Sequence, residues 1–331
     1  MNKFIVLMVC LLAFVGCQEE LELITVNDEI PSKITKNAEL VLEDFTRSVQ
    51  ESNVENFMKI CVPGTETINS VYFEEFVRNE QLFSDLFVEK NIQKENKYYI
   101  SDITKTGSID YASEGYEFRS PQVETGSGSK LVYLIESTYN NFDVVFTIVL
   151  SEVKGDFLIE RFTLGDIRPY GESIVSLLDK AESLENEGNL ISAWQYNELS
   201  TGFVAPSPYI YYADDERIAM NMKRLAEDIS QNFVFPIEVE ISKGTFVKLY
   251  AIMSDKYEDG FYCRMIYVSN IPENEASDTL IKAEAKILHQ EAIKVLAGLG
   301  EGFDNRVLYT AYFEDPLVQG KDYKTVTVDL K

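Results

Sequence analysis

From Asn37 onward the apolar positions fall on one face of a helix. Ala38, Val41, Leu42, Phe45 and Val49 recur at spacings of three and four. Ser52-Asn53-Val54-Glu55 has the form of a capping box, with Ser at the N-cap and Glu three positions on. It predicts a short second helix carrying Phe57, Ile60 and Cys61, which stops before Pro63-Gly64. A third helical stretch, dense in Phe, is expected over residues 71 to 88. Past Lys94 the period falls to two. Tyr98-Tyr99-Ile100 opens a strand, and residues 107 to 129 read as a long polar loop ending in Gly126-Ser127-Gly128-Ser129. Strands over residues 130 to 139 and 142 to 152 meet at Asn140-Asn141, and Lys154-Gly155-Asp156 turns the chain into a strand over 157 to 164. Helices followed by an antiparallel meander predict an α+β domain.

Residues 171 to 232 read as helical except for one loop. The last third alternates again: Ile237-Glu-Val-Glu-Ile241, then 246 to 253, then 261 to 268. An amphipathic helix over 276 to 297 ends at Gly298, and strands over 306 to 313 and 325 to 330 close the chain. This second α+β domain has the order β-β-β-α-β-β.

Two resemblances attach to these patterns. Residues 37 to 168 resemble the NTF2-like fold in order: a long helix, a short helix after a polar break, a third helix and a curved sheet. That resemblance implies a cone-shaped domain whose concavity holds a small ligand, serves as an active site or is packed shut. Ala181-Glu-Ser-Leu184, Gly188-Asn189 and Ala193 resemble one tetratricopeptide-like unit. A single unit is a helical hairpin, not an array. The predicted organisation is α+β throughout: a signal peptide at 1–16, an acidic tether at 17–36, an NTF2-like domain at 37–168, a helical hairpin at 169–232 and a C-terminal α+β domain at 233–331.

The front end carries an address. One positive charge, Lys3, precedes twelve consecutive apolar residues, 4 to 15, too few for a membrane span of about 20. Phe14-Val15-Gly16-Cys17 resembles the lipobox of bacterial lipoproteins, although Phe14 stands where leucine is usual and Val15 is bulkier than the usual Ala or Ser. The resemblance implies lipid attachment at Cys17, a mature chain starting there, and an outer-membrane location. The other reading is an ordinary cleaved signal. Gln18-Glu19-Glu20-Leu21-Glu22 is similar to the export tether of surface lipoproteins in the Bacteroidota, and reads equally as a solvated linker.

Composition then removes some functions. Fifty-five acids face thirty bases, a net charge of −25. Phosphate binding depends on Lys and Arg neutralisation, so nucleic acid is not an expected partner. Apolar content of 45% is enough for real cores. Cys61 and Cys263, the two cysteines outside the front end, are expected as buried thiols, with a disulfide as the alternative in an oxidising compartment.

Catalytic motifs are scarce. The mature chain has one histidine, His289, in mid-helix, and no HExxH, CxxC or G-x-S-x-G pattern accompanies it. No metal site or cofactor is expected. Ser151-Glu-Val-Lys154 has serine–lysine spacing but leads into a hairpin, where that chemistry lacks its helix start. Gly298-Leu-Gly300-Glu-Gly302 follows a helix instead of preceding one, so it offers no anion a helix N-terminus. Asp255 to Ile266 lacks the oxygen ligands of a calcium loop. Glu136 and Glu160 lie on the meander and are the candidate acid/base or ligand residues. Tyr209, Tyr211 and Tyr212, beside Ala205-Pro-Ser-Pro, are candidate ligand or partner contacts, and equally a plug between helices and domains. The expected function is a lipid-anchored envelope protein that binds a partner protein or small ligand without chemistry. The alternative is an acid/base hydrolase or isomerase using the NTF2-like concavity.

Overall fold

The computed structural model of the chain describes residues 24–78, 92–101, 108–110, 115–119, 128–139, 142–257, 260–299, 306–316 and 322–329. The lipobox, the Asn140-Asn141 turn, residues 79 to 88 of the expected third helix and the Gly300-Glu-Gly302 segment lie outside them.

The chain folds as an α+β protein. Its first element, β1 (Ile24–Val26), pairs antiparallel with β2 (Ile92–Ile100), Ile24 opposite Ile100. Lys97 N donates to Asn27 Oδ1 at 2.7 Å just beyond it. Residues 24 to 36, assigned to the tether on sequence, therefore belong to the fold. A three-residue edge strand shows no period, and Pro31 here precedes a helix, where its missing N–H has no helical partner to lose.

Helix α1 (Ser32–Gln50) buries Ala38, Val41, Phe45 and Val49, the face that the spacing predicts. The break after it differs by one residue. Ser52 takes a left-handed conformation, φ 51°, and Asn53 is the N-cap of α2 (Val54–Lys59), accepting from Asn56 N at 3.0 Å. Asn53, whose Oδ1 accepts from the N–H three residues on, takes the N-cap role in place of Ser52. Helix α3 (Glu66–Arg78) follows.

The three helices cover one face of a sheet ordered β1-β2-β5-β6-β7, with β5 (Lys130–Tyr139), β6 (Phe142–Val153) and β7 (Asp156–Pro169) in antiparallel register. Leu131, Tyr133 and Ile135 of β5 meet the helices, whereas Val132 and Leu134 point to the opposite face. That opposite face is also covered. Two short strands inside the segment read as a polar loop, β3 (Ser108–Asp110) and β4 (Tyr116–Arg119), join β8 (Ile210–Tyr212) in a three-stranded sheet. Helices α4 (Ile174–Asn186) and α5 (Leu190–Thr201) complete the cover. The approach of the Pro206 segment to β7 needs a glycine. A Cβ on Gly165 would lie 1.8 Å from Pro206 O.

Helix α6 (Asp215–Asn232) leads to the second sheet, ordered β13-β12-β11-β10-β9. Its strands are β9 (Ile237–Ser242), β10 (Thr245–Tyr257), β11 (Gly260–Val268), β12 (Arg306–Tyr312) and β13 (Tyr323–Asp329). Only β11 and β12 are parallel, joined through α7 (Asp278–Ala292), which is capped by Ser277. The element order is the predicted β-β-β-α-β-β.

Helix α5 binds the two halves. It buries Ile191 in the C-terminal core and Tyr196 and Leu199 in the core of the first half. A helix buried on both sides has no polar face to display. Gln195 Nε2 donates to Met253 O at 3.0 Å, and Ser254 N donates to Glu198 Oε2 at 3.1 Å. The β10–β11 hairpin reaches back in turn: Phe261 packs edge-on against Tyr170 at 5.0 Å, and Lys256 pairs with Asp166.

Candidate functional site

The concavity implied between helices and first sheet is occupied. Phe45, Phe57, Phe73, Phe76, Phe146 and Phe162 fill it, with Phe57 and Phe73 stacked at 4.3 Å. An apolar space that could receive a ligand lies elsewhere, where α5, α6 and β10 meet.

There, residues of three separate elements build an apolar groove of about 510 Å3. From α5 come Ile191 and Trp194, three apart on one face. From α6 come Ala226, Ile229 and Ser230, at the spacing of a helical stripe that Phe233, its C-cap, continues. Ile218 and Leu225, on another face of α6, are buried. The helix ends as Phe233 turns extended, and Val234 and Phe235 continue the wall. The third side is β10, where the register with β11 shifts between Leu249 and Ala251. The shift is a bulge, and bulges re-aim side chains. Tyr250, Ala251 and Ile252 line the groove at that point.

The lining has no charged residue. Its polar side-chain atoms are the Tyr250 hydroxyl, the Trp194 indole N–H and the Ser230 hydroxyl, which donates to Glu227 O at 2.8 Å. The chain has a single tryptophan, so Trp194 is a built-in reporter of the groove. The size lies in the range of about 300–1,000 Å3 typical of small-molecule sites. Such a groove can hold apolar or ring-bearing molecules; it carries no acid/base pair.

The residues singled out from sequence lie apart from it. Glu136 is buried at one end of β5 and pairs with Arg168 at 3.5 Å. Arg168 also pairs with Asp143 at 2.9 Å. Glu160 accepts from the buried Lys130 at 2.5 Å and from Ser151. Lys130 and Glu136 are six residues apart on one strand, about 20 Å. Carboxylate pairs that cooperate in glycoside hydrolysis stand roughly 5–10 Å apart. The structure therefore does not bring the two glutamates together.

The three tyrosines divide. Tyr209 and Tyr212 are core residues, and burial pushes the Tyr209 phenol up to about 12. Tyr212 stands edge-on to Tyr116 at 5.7 Å. Tyr211 is half-buried under Arg119, whose guanidinium lies 4.6 Å from the ring centre. Tyr209 and Tyr212 thus pack inside the core of the first half. His289 Nδ1 is 2.8 Å from the Tyr309 hydroxyl, and burial lowers its pKa. Cys61 and Cys263 are free, buried thiols in separate cores, both pushed up to about 12 by burial. Among the described residues no cluster of His, Cys, Asp or Glu is placed to hold a metal ion, and no helix is long and apolar enough to cross a membrane. Cys17 lies outside the described residues.

Sequence reasoning passed over the groove. Its signals were the lone Trp194 and the run Phe233-Val234-Phe235, in which Val234 is 78% exposed. Neither signal names the third wall. Comparison with family models, with curated proteins and with solved structures returns no match to this chain.

Proposed function

We propose that this chain is a lipid-anchored protein of the bacterial envelope that binds an apolar ligand in the groove between α5, α6 and β10 and performs no chemistry on it. The groove carries the reading: it is sizeable, uncharged and built from residues that local patterning does not require to be apolar. The ion-paired and separated Glu136 and Glu160 support binding over catalysis. A protein partner is the second reading, favoured by Ile68, Val71 and Tyr72, an apolar stripe that α3 leaves exposed.

The binding is read at Trp194. N-phenyl-1-naphthylamine is expected to quench the indole and saturate at one probe per chain. Ala226→Phe, which fills the groove from α6, is expected to weaken that binding at least about tenfold, or 1.4 kcal/mol. An unchanged affinity in that variant would remove the groove from consideration. The anchor has its own test. Each buried CH2 of an acyl chain contributes about 0.8 kcal/mol to membrane binding. Cys17→Ser, expressed in a bacterial host, is expected to lose fatty-acid labelling and leave the membrane fraction. A label that survives the substitution would sink the anchor.

A further inference from the structure

The groove's chemistry says more than that it is apolar. Resting on its reading as the binding site, we infer that its ligand is an uncharged, ring-bearing small molecule and that anionic amphiphiles are turned away.

Charge carries the first half. About a quarter of the chain's residues are charged, yet none of the eleven that line the groove is. An ionised group drawn into such a lining gives up its water without gaining a partner. The surroundings add repulsion. The chain's net charge is −25, and Glu227 and Asp228 sit on α6 between the lining residues Ala226 and Ile229. Two bases on the surrounding elements are already engaged. Arg224 holds Glu185 at 2.8 Å, and Lys248 stands 3.8 Å from Glu238. Lys223, one turn before Ala226, is exposed, where a charge pair contributes little. An anionic head thus finds neither a counter-charge in the groove nor a net positive rim.

Aromatic walls carry the second half. Four of the eleven lining residues are rings, and they come from three directions: Trp194 from α5, Phe233 and Phe235 from the end of α6 and the segment after it, Tyr250 from the β10 bulge. Rings on facing walls favour flat partners that stack or meet edge-on over flexible chains, which lose rotamer freedom on binding. The indole N–H and the phenol offer one hydrogen bond each to a hydroxyl or carbonyl. They suit a neutral polar handle and leave a carboxylate without a cation.

The discriminating pair is N-phenyl-1-naphthylamine and 1-anilinonaphthalene-8-sulfonate, the same rings without and with a sulfonate. Each is titrated against the full mature chain by quenching of Trp194, in wild type, Ala226→Phe and Ser230→Lys. The neutral probe is expected to bind at least tenfold more tightly, and Ser230→Lys, which places a cation on the rim, to shift the preference toward the sulfonate. Equal or tighter sulfonate binding in wild type, still lost in Ala226→Phe, overturns the charge inference and leaves the site standing. Binding of both probes that ignores Ala226→Phe overturns the site itself. Displacement by two ten-carbon alcohols, followed by equilibrium dialysis of the neutral probe, tests the ring preference. 2-Naphthol is expected to displace it at lower concentration than 1-decanol, and the reverse order overturns that half.

Discussion

Glu284→Ala is expected to destabilise the protein by about 3–5 kcal/mol, the range for stripping a buried ionic group from its partners. Glu284 lies on the buried face of α7 with 7% of its surface exposed. One carboxylate oxygen accepts from the Tyr267 hydroxyl at 3.1 Å and from the Ser269 hydroxyl at 2.6 Å; the other accepts from Asn270 N at 3.0 Å. These donors sit where β11 ends, so one side chain fastens the crossover helix to the strand that precedes it. Alanine leaves two buried hydroxyls without their acceptor, each costing about 1–3 kcal/mol when unmade, and frees the part-buried Asn270 N–H as well. Burial, reinforced by the Glu284 charge, raises the Tyr267 phenol far above its usual range, so it stays a neutral donor. Glu284→Gln keeps acceptor capacity and is expected to lose less. The measurement is the urea midpoint of each variant at constant slope. A loss below about 1 kcal/mol in Glu284→Ala would show the network to be dispensable.

Phe45→Ala is the second large effect, about 3–5 kcal/mol, as for other buried Phe truncations. Phe45 is 1% exposed and, among the described residues, touches four rings: Phe162 at 5.4 Å, Phe57 at 5.9 Å, Phe146 at 6.0 Å and Phe76 at 6.5 Å. Those neighbours come from α2, α3, β6 and β7. They are themselves locked by stacking, Phe76 on Phe146 at 5.5 Å, so the hole cannot collapse cheaply. Phe246, 50% exposed on β10, is the control and is expected to change stability by less than about 0.5 kcal/mol when truncated. The same comparison of urea midpoints decides. Similar losses at the two positions would mean that the ring cluster is not what holds helices to sheet.

Periodicity reports burial where one element has a single buried face. α1 is such a helix, and Ala38, Val41, Phe45 and Val49 announce it. β11 and β12 are near-continuous buried runs, whereas α7 and the alternating strands β9 and β13 announce themselves in the same way. α5 does not, because it is buried on both sides. Its buried set includes Ser192, Gln195, Asn197 and Ser200 beside Ile191 and Tyr196. The short strands β1, β3, β4 and β8 span three or four residues, too few for a period of two to rise above chance. They exist because longer neighbours supply their hydrogen-bond partners. Tyr98 stacks on Phe118 at 4.6 Å across two sheets, a contact between β2 and the supposed loop.

The sequence by itself determined the class, the order of the longer helices and strands, the identity of the main helix faces and the acidic net charge of −25. All of these follow from neighbours along the chain, where period and net charge can be read directly. The tertiary structure alone decided that both faces of the first sheet are covered, that Tyr209 and Tyr212 are core, that Glu136 and Glu160 stand far apart, and that Trp194, Phe233 and Tyr250 share one groove. Those outcomes depend on which surfaces meet across dozens of residues. Hydrophobic burial is non-directional, and it marks a residue for covering without naming what will cover it.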